Sequence, residues 1–336
     1  MLFRALNGKP RSRRNFSGVV KKENSCRSAS ILSEYGDFIV GFMDDLPLIS
    51  CCDDNSGKGG WSESQLTLRQ VLRSSVAVVG ESRLGFTEKV VLLDAKICVL
   101  KRFRKVSLRR GEFGRRLVRL ALISSKCKYL VPVTAYFYTK RIKFVVCDYY
   151  PMGSLADLLA SAREHDQTAL TWNQRLKIIL NIAQAIEFIH SRNPSLQEIK
   201  HLKLHVHGNV KASNVMIDVD FTARMSDYGF IQLAERVEVG DTWQRKPPPP
   251  VDFEYSESFC QESDIYNFGI IILDMLKGPQ SNNSNKDDGR VVFEFSVQGK
   301  ERKQALHILE IALACTNKSS EARPTIKEIL KSLGNN

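Results

Sequence analysis

The 336-residue sequence lacks long hydrophobic runs, and no stretch approaches the roughly 18 uncharged apolar residues that a membrane-spanning helix needs. Its first residues, M-L-F-R-A-L-N-G-K-P-R-S-R-R, contain no apolar core of the length found in secretory signal peptides. Glycine is not the second residue, which excludes N-myristoylation. These absences exclude a polytopic membrane protein and predict a cytoplasmic chain without an ectodomain or a membrane span.

The cysteines lack the spacing of a metal site or a disulfide framework. None of the eight belongs to a C-x-x-C pair. Because no secretory signal is apparent, we expect the thiols to be reduced and no zinc ribbon to form. The eight are Cys26, Cys51, Cys52, Cys98, Cys127, Cys147, Cys260 and Cys315.

Acidic residues are nearly absent from two segments of a chain that is otherwise balanced. The sequence holds 49 Lys and Arg against 37 Asp and Glu, a formal charge of +12. Residues 1–30 contain eight basic residues and only Glu23, and residues 101–119 contain nine and only Glu112. Because the basicity is local, it argues against a protein built throughout to coat nucleic acid. Residues 1–30 could be a solvated arm, a contact with an anionic membrane face, or a nucleic-acid or nuclear-targeting patch.

The hydrophobic pattern divides the chain into a tail and an α+β region. Residues 1–62 are rich in Ser, Gly, Asn and charge, which predicts a basic, mostly flexible tail. A small lobe of about five strands and one helix should follow, and after residue 153 the pattern becomes mainly helical. Strands are expected at 76–80, 89–93, 97–101, 131–138 and 141–147, and helices at 112–124, 173–190, 265–276, 307–315 and 325–333.

Two elements of this small lobe suggest a phosphate site, although each is weak by itself. Gly80, Ser82 and Gly85 lie in G-E-S-R-L-G after a strand, where glycines let a backbone turn tightly and approach phosphate. A strand rather than a helix follows, which disfavours a dinucleotide-binding fold. Lys101 ends a later apolar strand and could place a cation under such a loop, or could belong to a solvated basic run.

A third element identifies the family that the sequence resembles. The segment from His207 to Asn214, H-G-N-V-K-A-S-N, is followed by D-Y-G beginning at Asp227. Together with the Gly-rich loop and the strand lysine, these motifs resemble the ordered set of protein kinases, H-R-D-x-x-x-x-N and D-F-G included. The resemblance is specifically to the intracellular domain of plant leucine-rich-repeat receptor-like kinases. It covers residues 66–333 and includes D-Y-Y-P-M-G-S-L, E-S-D-I-Y-N-F-G and A-R-P-T.

The resemblance implies a bilobal protein kinase-like fold at 63–336. The small five-stranded N-lobe with one helix would occupy about 63–147, the hinge 148–153, and a larger, mainly helical C-lobe 154–336.

The resemblance also implies roles for residues around a nucleotide. Gly80, Ser82, Gly85 and Lys101 would surround phosphates, Asp148 and Tyr150 would be hinge contacts, and Cys147 would be the gatekeeper. Asn214 and Asp227 would hold Mg²⁺ if nucleotide is bound, and Lys211 would face the γ-phosphate. Asp264 would brace the catalytic loop. His207 would be the motif's structural histidine, so its spacing with His201 and His205 does not indicate zinc, and no structural metal is expected.

The departures from the family pattern argue against catalysis. Asn209 replaces the aspartate that accepts the substrate proton, and an amide cannot act as that base. Gly208 replaces the arginine that would pair with a phosphorylated activation loop. Ser82 replaces the middle glycine of the phosphate loop. At the position of the glutamate that should pair with Lys101 the alignment places Arg116 or Val118, and Arg116 would repel the lysine.

The activation segment departs from the pattern as well. It contains D-T-W-Q-R-K-P-P-P-P, where four prolines favour an extended helix over the usual peptide-docking loop. This run could be a ligand for an aromatic groove or a stiff spacer.

These observations predict a receptor-like pseudokinase, a scaffold or allosteric partner in kinase signalling that binds ATP and Mg²⁺ weakly or not at all. A slow or atypical ATP-dependent Ser/Thr kinase is the alternative, because positioning and Mg²⁺ supply most of the catalysis. A basic nucleic-acid-binding protein on a kinase scaffold is a second alternative. The expected partner is an active receptor-like kinase or another signalling protein. The location would be the cytoplasm, or a peripheral site at the inner face of the plasma membrane through residues 1–30.

Overall fold

A computed structural model describes residues 48–51, 66–92, 95–165, 168, 170–192, 202–234, 259–277, 293 and 295–334. The predicted tail up to residue 47, His201 and the proline-rich run at 241–250 lie outside the described residues. Within the described ranges, no helix is both long and apolar enough to cross a membrane.

The N-lobe is built on an antiparallel sheet of six strands in the order β1-β5-β6-β4-β3-β2. Its five longer strands confirm the predicted ones. The sixth, β1, takes two residues from the segment predicted as a tail and pairs them with β5. The strands are β1 Ile49–Ser50, β2 Ser75–Glu81, β3 Gly85–Val91, β4 Ile97–Phe103, β5 Val133–Tyr138 and β6 Lys143–Asp148.

Two helices cover this sheet. The short helix α1 (Leu68–Leu72) begins with a capping box, in which Thr67 and Gln70 satisfy each other's backbone N–H groups. The longer α2 (Arg110–Ser124) buries the apolar stripe predicted for 112–124. Phe113 in this stripe packs edge-on against Phe103 of β4, which fixes the helix beside the strand that carries Lys101.

The C-lobe is mainly helical, as predicted. The long α4 carries Ile179, Ile182 and Ile186 on a buried face, the 3.6-residue periodicity that predicted it. Against α4 lies a β-hairpin that the sequence did not predict, because its two strands have only three residues each. The elements are α3 Leu155–Glu164, α4 Trp172–His190, β7 Val215–Ile217, β8 Ala223–Met225, α5 Gln261–Lys277, α6 Gly299–Cys315 and α7 Ile326–Gly334.

Candidate functional site

The predicted phosphate loop is a tight hairpin turn between β2 and β3. The backbones of Ser82 and Gly85 exchange hydrogen bonds in both directions, at 2.8 and 3.1 Å. Gly85 has a φ of +150°, and an added Cβ would lie 1.8 Å from the carbonyl oxygen of Arg102. Gly85 is therefore required by the close approach of the paired strands β3 and β4, so its presence is not evidence for a phosphate site.

Lys101 pairs directly with the aspartate of the D-Y-G motif. Its Nζ lies 3.1 Å from Oδ1 of Asp227, and the two side chains are only 14% and 9% exposed. Lys101 stands in β4, where it pairs with Val145 of β6. Asp227 follows β8 in a left-handed conformation with φ of 65°. Lys101 of the N-lobe and Asp227 of the C-lobe thus form a direct ion pair, with no glutamate between them.

The catalytic-like loop, residues 207–214, is braced by Asp264 of α5. Its carboxylate accepts hydrogen bonds from the backbone N–H groups of His207 at 2.7 Å and Gly208 at 2.9 Å. Asp264 also contacts Nε2 of His190 at 3.0 Å. Within the loop, the Asn214 amide donates to the carbonyl oxygen of Asn209 at 2.9 Å. These bonds fix the backbone at the position where an active kinase places its base.

Burial controls the protonation of His207. Its pKa is lowered by desolvation, which outweighs the favourable effect of the Asp264 carboxylate. The backbone N–H of Asn209 donates to Nδ1 of His207 at 3.2 Å, so the neutral ring carries its proton on Nε2.

An aromatic ring occupies the space beside Gly208. The glycine has φ of +76°, and a Cβ placed on it would lie 1.8 Å from Cε2 of Phe259. Lys203 binds the carbonyl oxygen of Phe259 at 3.0 Å and helps to hold that residue. At the position where the H-R-D pattern has arginine, this chain thus has a glycine that contacts the Phe259 ring. The sequence motifs did not indicate Phe259. The one sequence feature that points to a close neighbour is Gly208, a glycine at a position where the family has a large side chain.

Lys211 lies in the same cationic environment as Lys101. Its pKa is lowered, mainly by burial, while Asp227 favours the charged form and Lys101 and Arg83 oppose it. The three cations of Lys101, Lys211 and Arg83 and the carboxylate of Asp227 are thus close enough to interact electrostatically, and the cations would attract a phosphate. Arg83 belongs to the β2–β3 turn, so the phosphate loop itself brings a positive charge that the sequence analysis did not single out.

Helix α2 supplies no carboxylate to Lys101, and the expected repulsion by Arg116 is replaced by other contacts. The Arg116 guanidinium binds the Glu112 carboxylate at 2.7 Å and the carbonyl oxygen of Gln232 at 3.2 Å. Arg115 also binds Glu112, at 2.6 Å, and the two arginines lower the pKa of that carboxyl. Val118, the other candidate for the glutamate position, is a partly buried hydrophobic residue packed against the core.

The segment after D-Y-G packs under α2. Residues Phe230–Gln232 form a short 3-10 helix, and the ring of Phe230 lies 5.9 Å from that of Phe103. A Cβ on Gly229 would lie 2.5 Å from Leu120, which shows how closely this segment approaches the helix. Together with the bond from Arg116, these contacts connect α2 to the start of the activation segment.

The segment predicted as the hinge, 148–153, begins at the last residue of β6. Burial raises the pKa of Asp148, and the carbonyl oxygen of Tyr150 accepts a hydrogen bond from Gly153 at 3.2 Å. Cys147 is buried behind the hinge and lines a small cavity with Asp227 and Tyr228. Its pKa is raised by burial, so the thiol is a packing group rather than a nucleophile.

The donors for Mg²⁺ are present but partly engaged. Asp227 and Asn214 would hold the ion, since carboxylate and amide oxygens suit it, and Lys101 and Lys211 would face the phosphates. However, the Asp227 carboxylate already has a cation in Lys101, while Asn214 uses its amide nitrogen and keeps its oxygen. The residues therefore fit a nucleotide–metal complex in their chemistry, although one oxygen of the Asp227 carboxylate is already paired with Lys101.

Comparison with known proteins agrees with this geometry. A family model described as protein tyrosine and serine/threonine kinase matches residues 99–333. A probable inactive receptor kinase of Arabidopsis thaliana is 28% identical, covering 80% of this chain and 44% of the relative. An inactive leucine-rich repeat receptor-like serine/threonine-protein kinase of the same plant is 31% identical, covering 79% and 41%. The chain thus spans less than half the length of these relatives.

One solved structure supports the fold. The pseudokinase domain of BIR2, an immune regulator of the RLK/Pelle family, superposes with a TM-score of 0.66 and 22% identity. The match covers 87% of this chain and 90% of that one. The bilobal arrangement of sheet and helices is therefore the arrangement found in a protein kinase domain.

Proposed function

The chain belongs to the protein tyrosine and serine/threonine kinase family, and from this premise we propose that it is a receptor-like pseudokinase. It would act as a scaffold or allosteric partner of an active receptor-like kinase and bind ATP weakly or not at all. The observation that carries the proposal is the ion pair between Lys101 and Asp227, formed beside a loop whose base position is Asn209. Several relatives are themselves named inactive receptor kinases, which supports it.

The loss of catalysis follows from the chemistry of phosphoryl transfer. An active kinase needs the strand lysine on the phosphates, the D-F-G aspartate on the metal and a carboxylate near the substrate hydroxyl. In this chain the first two groups neutralise each other, and Asn209 cannot take the proton. Arg116 and Glu112 engage each other, so helix α2 offers Lys101 no alternative partner. Each deficiency is independent, and repairing one leaves the others.

The protein-binding role follows from what the fold retains. Asp264 still braces the catalytic-like loop, and α2 is connected to the activation segment through Arg116. We assign this scaffold to the kinase-like domain at residues 63–336, to whose sheet strand β1 (Ile49–Ser50) of the predicted tail also contributes. The partner kinase would lie on the cytoplasmic side of the membrane. A surface held in one arrangement can bias a partner kinase without transferring phosphate.

A slow Ser/Thr kinase is the second candidate, and a specific observation favours it. Lys101, Lys211, Asn214 and Asp227 all remain at the positions that face phosphate and metal in the family. If the ion pair separated, Asp227 and Asn214 could hold Mg²⁺, and positioning alone could support slow transfer.

The two candidates are separated by nucleotide binding and phosphate transfer. We expect ATP with Mg²⁺ to raise the melting temperature by less than about 1 °C, since ligand stabilisation is small when the ligand concentration does not exceed Kd. Transfer of γ-phosphate should stay at background in the wild type and in Asn209→Asp, which restores only the base. Lys101→Met and Asp227→Asn are the controls. Transfer above background that disappears in both controls would establish the slow kinase instead.

A further inference from the structure

Two basic connections of the N-lobe lie side by side although they are distant in sequence. The β4–α2 connection carries Lys105 and Arg109, and the β5–β6 turn carries Arg141, with Lys143 at the start of β6. The hydroxyl of Tyr138 donates to the carbonyl oxygen of Leu108 at 2.6 Å and so ties the connections together.

The contacts of Tyr138 place the charges of the two connections near each other. Its ring packs on Phe113 of α2 with centroids 5.2 Å apart. The Nζ of Lys143 lies 5.2 Å from the centre of the same ring and donates to the carbonyl oxygen of Lys140 at 2.6 Å. We call Lys105, Arg109, Arg141 and Lys143 the two-loop basic surface.

Within the described residues, the charges of this surface lack compensating carboxylates. Lys105, Arg109 and Arg141 are exposed, and none of the four residues pairs with a carboxylate in the described part of the chain. The sequence contains no acidic residue between positions 126 and 147. Other cations of the basic segment are neutralised, as Arg102 is by Glu88.

We propose that the two-loop basic surface binds an anionic membrane surface. The four cations stand on two exposed connections rather than around a cavity. They therefore suit a partner that offers many dispersed anionic groups better than one that offers a single phosphate. Each Lys or Arg near an anionic lipid surface adds to the attraction, and these contributions accumulate over one chain.

The test compares the full chain with two triple variants that lose the same charge. The first removes the surface with Lys105→Gln, Arg109→Gln and Arg141→Gln, and leaves Lys143, which packs on Tyr138. The control changes three exposed lysines of α6 and α7, by Lys300→Gln, Lys303→Gln and Lys327→Gln. Sedimentation with phosphatidylcholine vesicles, with and without 30% phosphatidylserine, measures binding in about 50 mM and 500 mM salt.

We expect the wild type to bind only the phosphatidylserine vesicles, and only at low salt, because salt screens exposed charges. The surface variant should bind at least tenfold more weakly, and the control variant within twofold of the wild type, with unchanged melting temperatures for both. Equal losses in the two variants, or full binding by the surface variant, would overturn the proposal. It would also be overturned if a polyglutamate peptide bound tightly, with the same dependence on the variants, while the vesicles did not.

Discussion

The substitution Gly208→Ala is expected to destabilise the protein well beyond the usual cost of placing a side chain in the left-handed region. Gly208 has φ of +76°, and its new Cβ would lie 1.8 Å from Cε2 of Phe259. The left-handed backbone costs an L-residue about 1–2 kcal/mol. The Phe259 ring must also move, and losing part of its buried area adds about 1–2 kcal/mol. The expected loss of unfolding free energy is therefore about 2–4 kcal/mol.

Gly299 provides a matched control for this prediction. It has φ of +53°, and an added Cβ would meet nothing within 4 Å. Gly299→Ala should therefore cost only the backbone term of about 1–2 kcal/mol. Urea unfolding of both variants and the wild type, followed by circular dichroism, measures the difference directly.

A double-mutant cycle with Phe259→Ala assigns the excess to the ring. When Phe259 is already truncated, Gly208→Ala should cost no more than Gly299→Ala, because nothing then opposes the Cβ. The reasoning is refuted if Gly208→Ala and Gly299→Ala cost the same in the wild-type background, or if truncating Phe259 leaves the excess unchanged.

Two further predictions concern the charged centre of the site. Lys101→Met and Asp227→Asn should each lower the unfolding free energy by about 1–3 kcal/mol, since each leaves a nearly buried charge unpaired. The double variant should lower it by less than the sum of the two single effects. Additive effects in urea unfolding would contradict the ion pair. Burial lowers the pKa of His207 below its ordinary 6.5, so the unfolded chain takes up a proton there before the folded protein does. The contribution of the neutral His207 to stability is therefore complete above pH 6.5 and is lost as the pH falls toward the folded-state pKa. The free energy of unfolding should therefore fall as the pH is lowered below 6.5, and a His207→Gln variant that kept the same pH dependence would show that another group is responsible.

The fold was predictable where local patterns are long. Helix α4 has a periodic apolar stripe over 19 residues, and the longer strands contain short apolar runs such as V-A-V-V in β2 and F-V-V-C in β6, so the hydrophobic pattern indicates them. Strand β1 and the β7–β8 hairpin have two or three residues per strand. Strand β1 exists because β5, which is far away in the chain, supplies its hydrogen bonds. The strands of the β7–β8 hairpin are too short to show an alternating hydrophobic pattern.

The candidate site was predictable as a set of positions. The motifs located Lys101, Asn209, Asn214 and Asp227 and identified the missing base. They did not determine which charges pair, since Arg116 was expected to repel Lys101. Instead Arg116 binds Glu112 and the Gln232 carbonyl, and Lys101 finds Asp227. The contact of Gly208 with Phe259 joins residues 51 positions apart and could not be read from either one.

The sequence by itself determined the family, the order of the lobes and the loss of the catalytic carboxylate, because these depend on which residues occupy recognisable motif positions. Only the tertiary structure decided where the positive charge of residues 101–119 goes. Arg102 pairs with Glu88, and Arg115 and Arg116 share the carboxylate of Glu112, whereas Lys105 and Arg109 meet a second basic turn from another hairpin. The physical reason is that charges interact through space over several ångströms, and folding, not chain order, sets those distances.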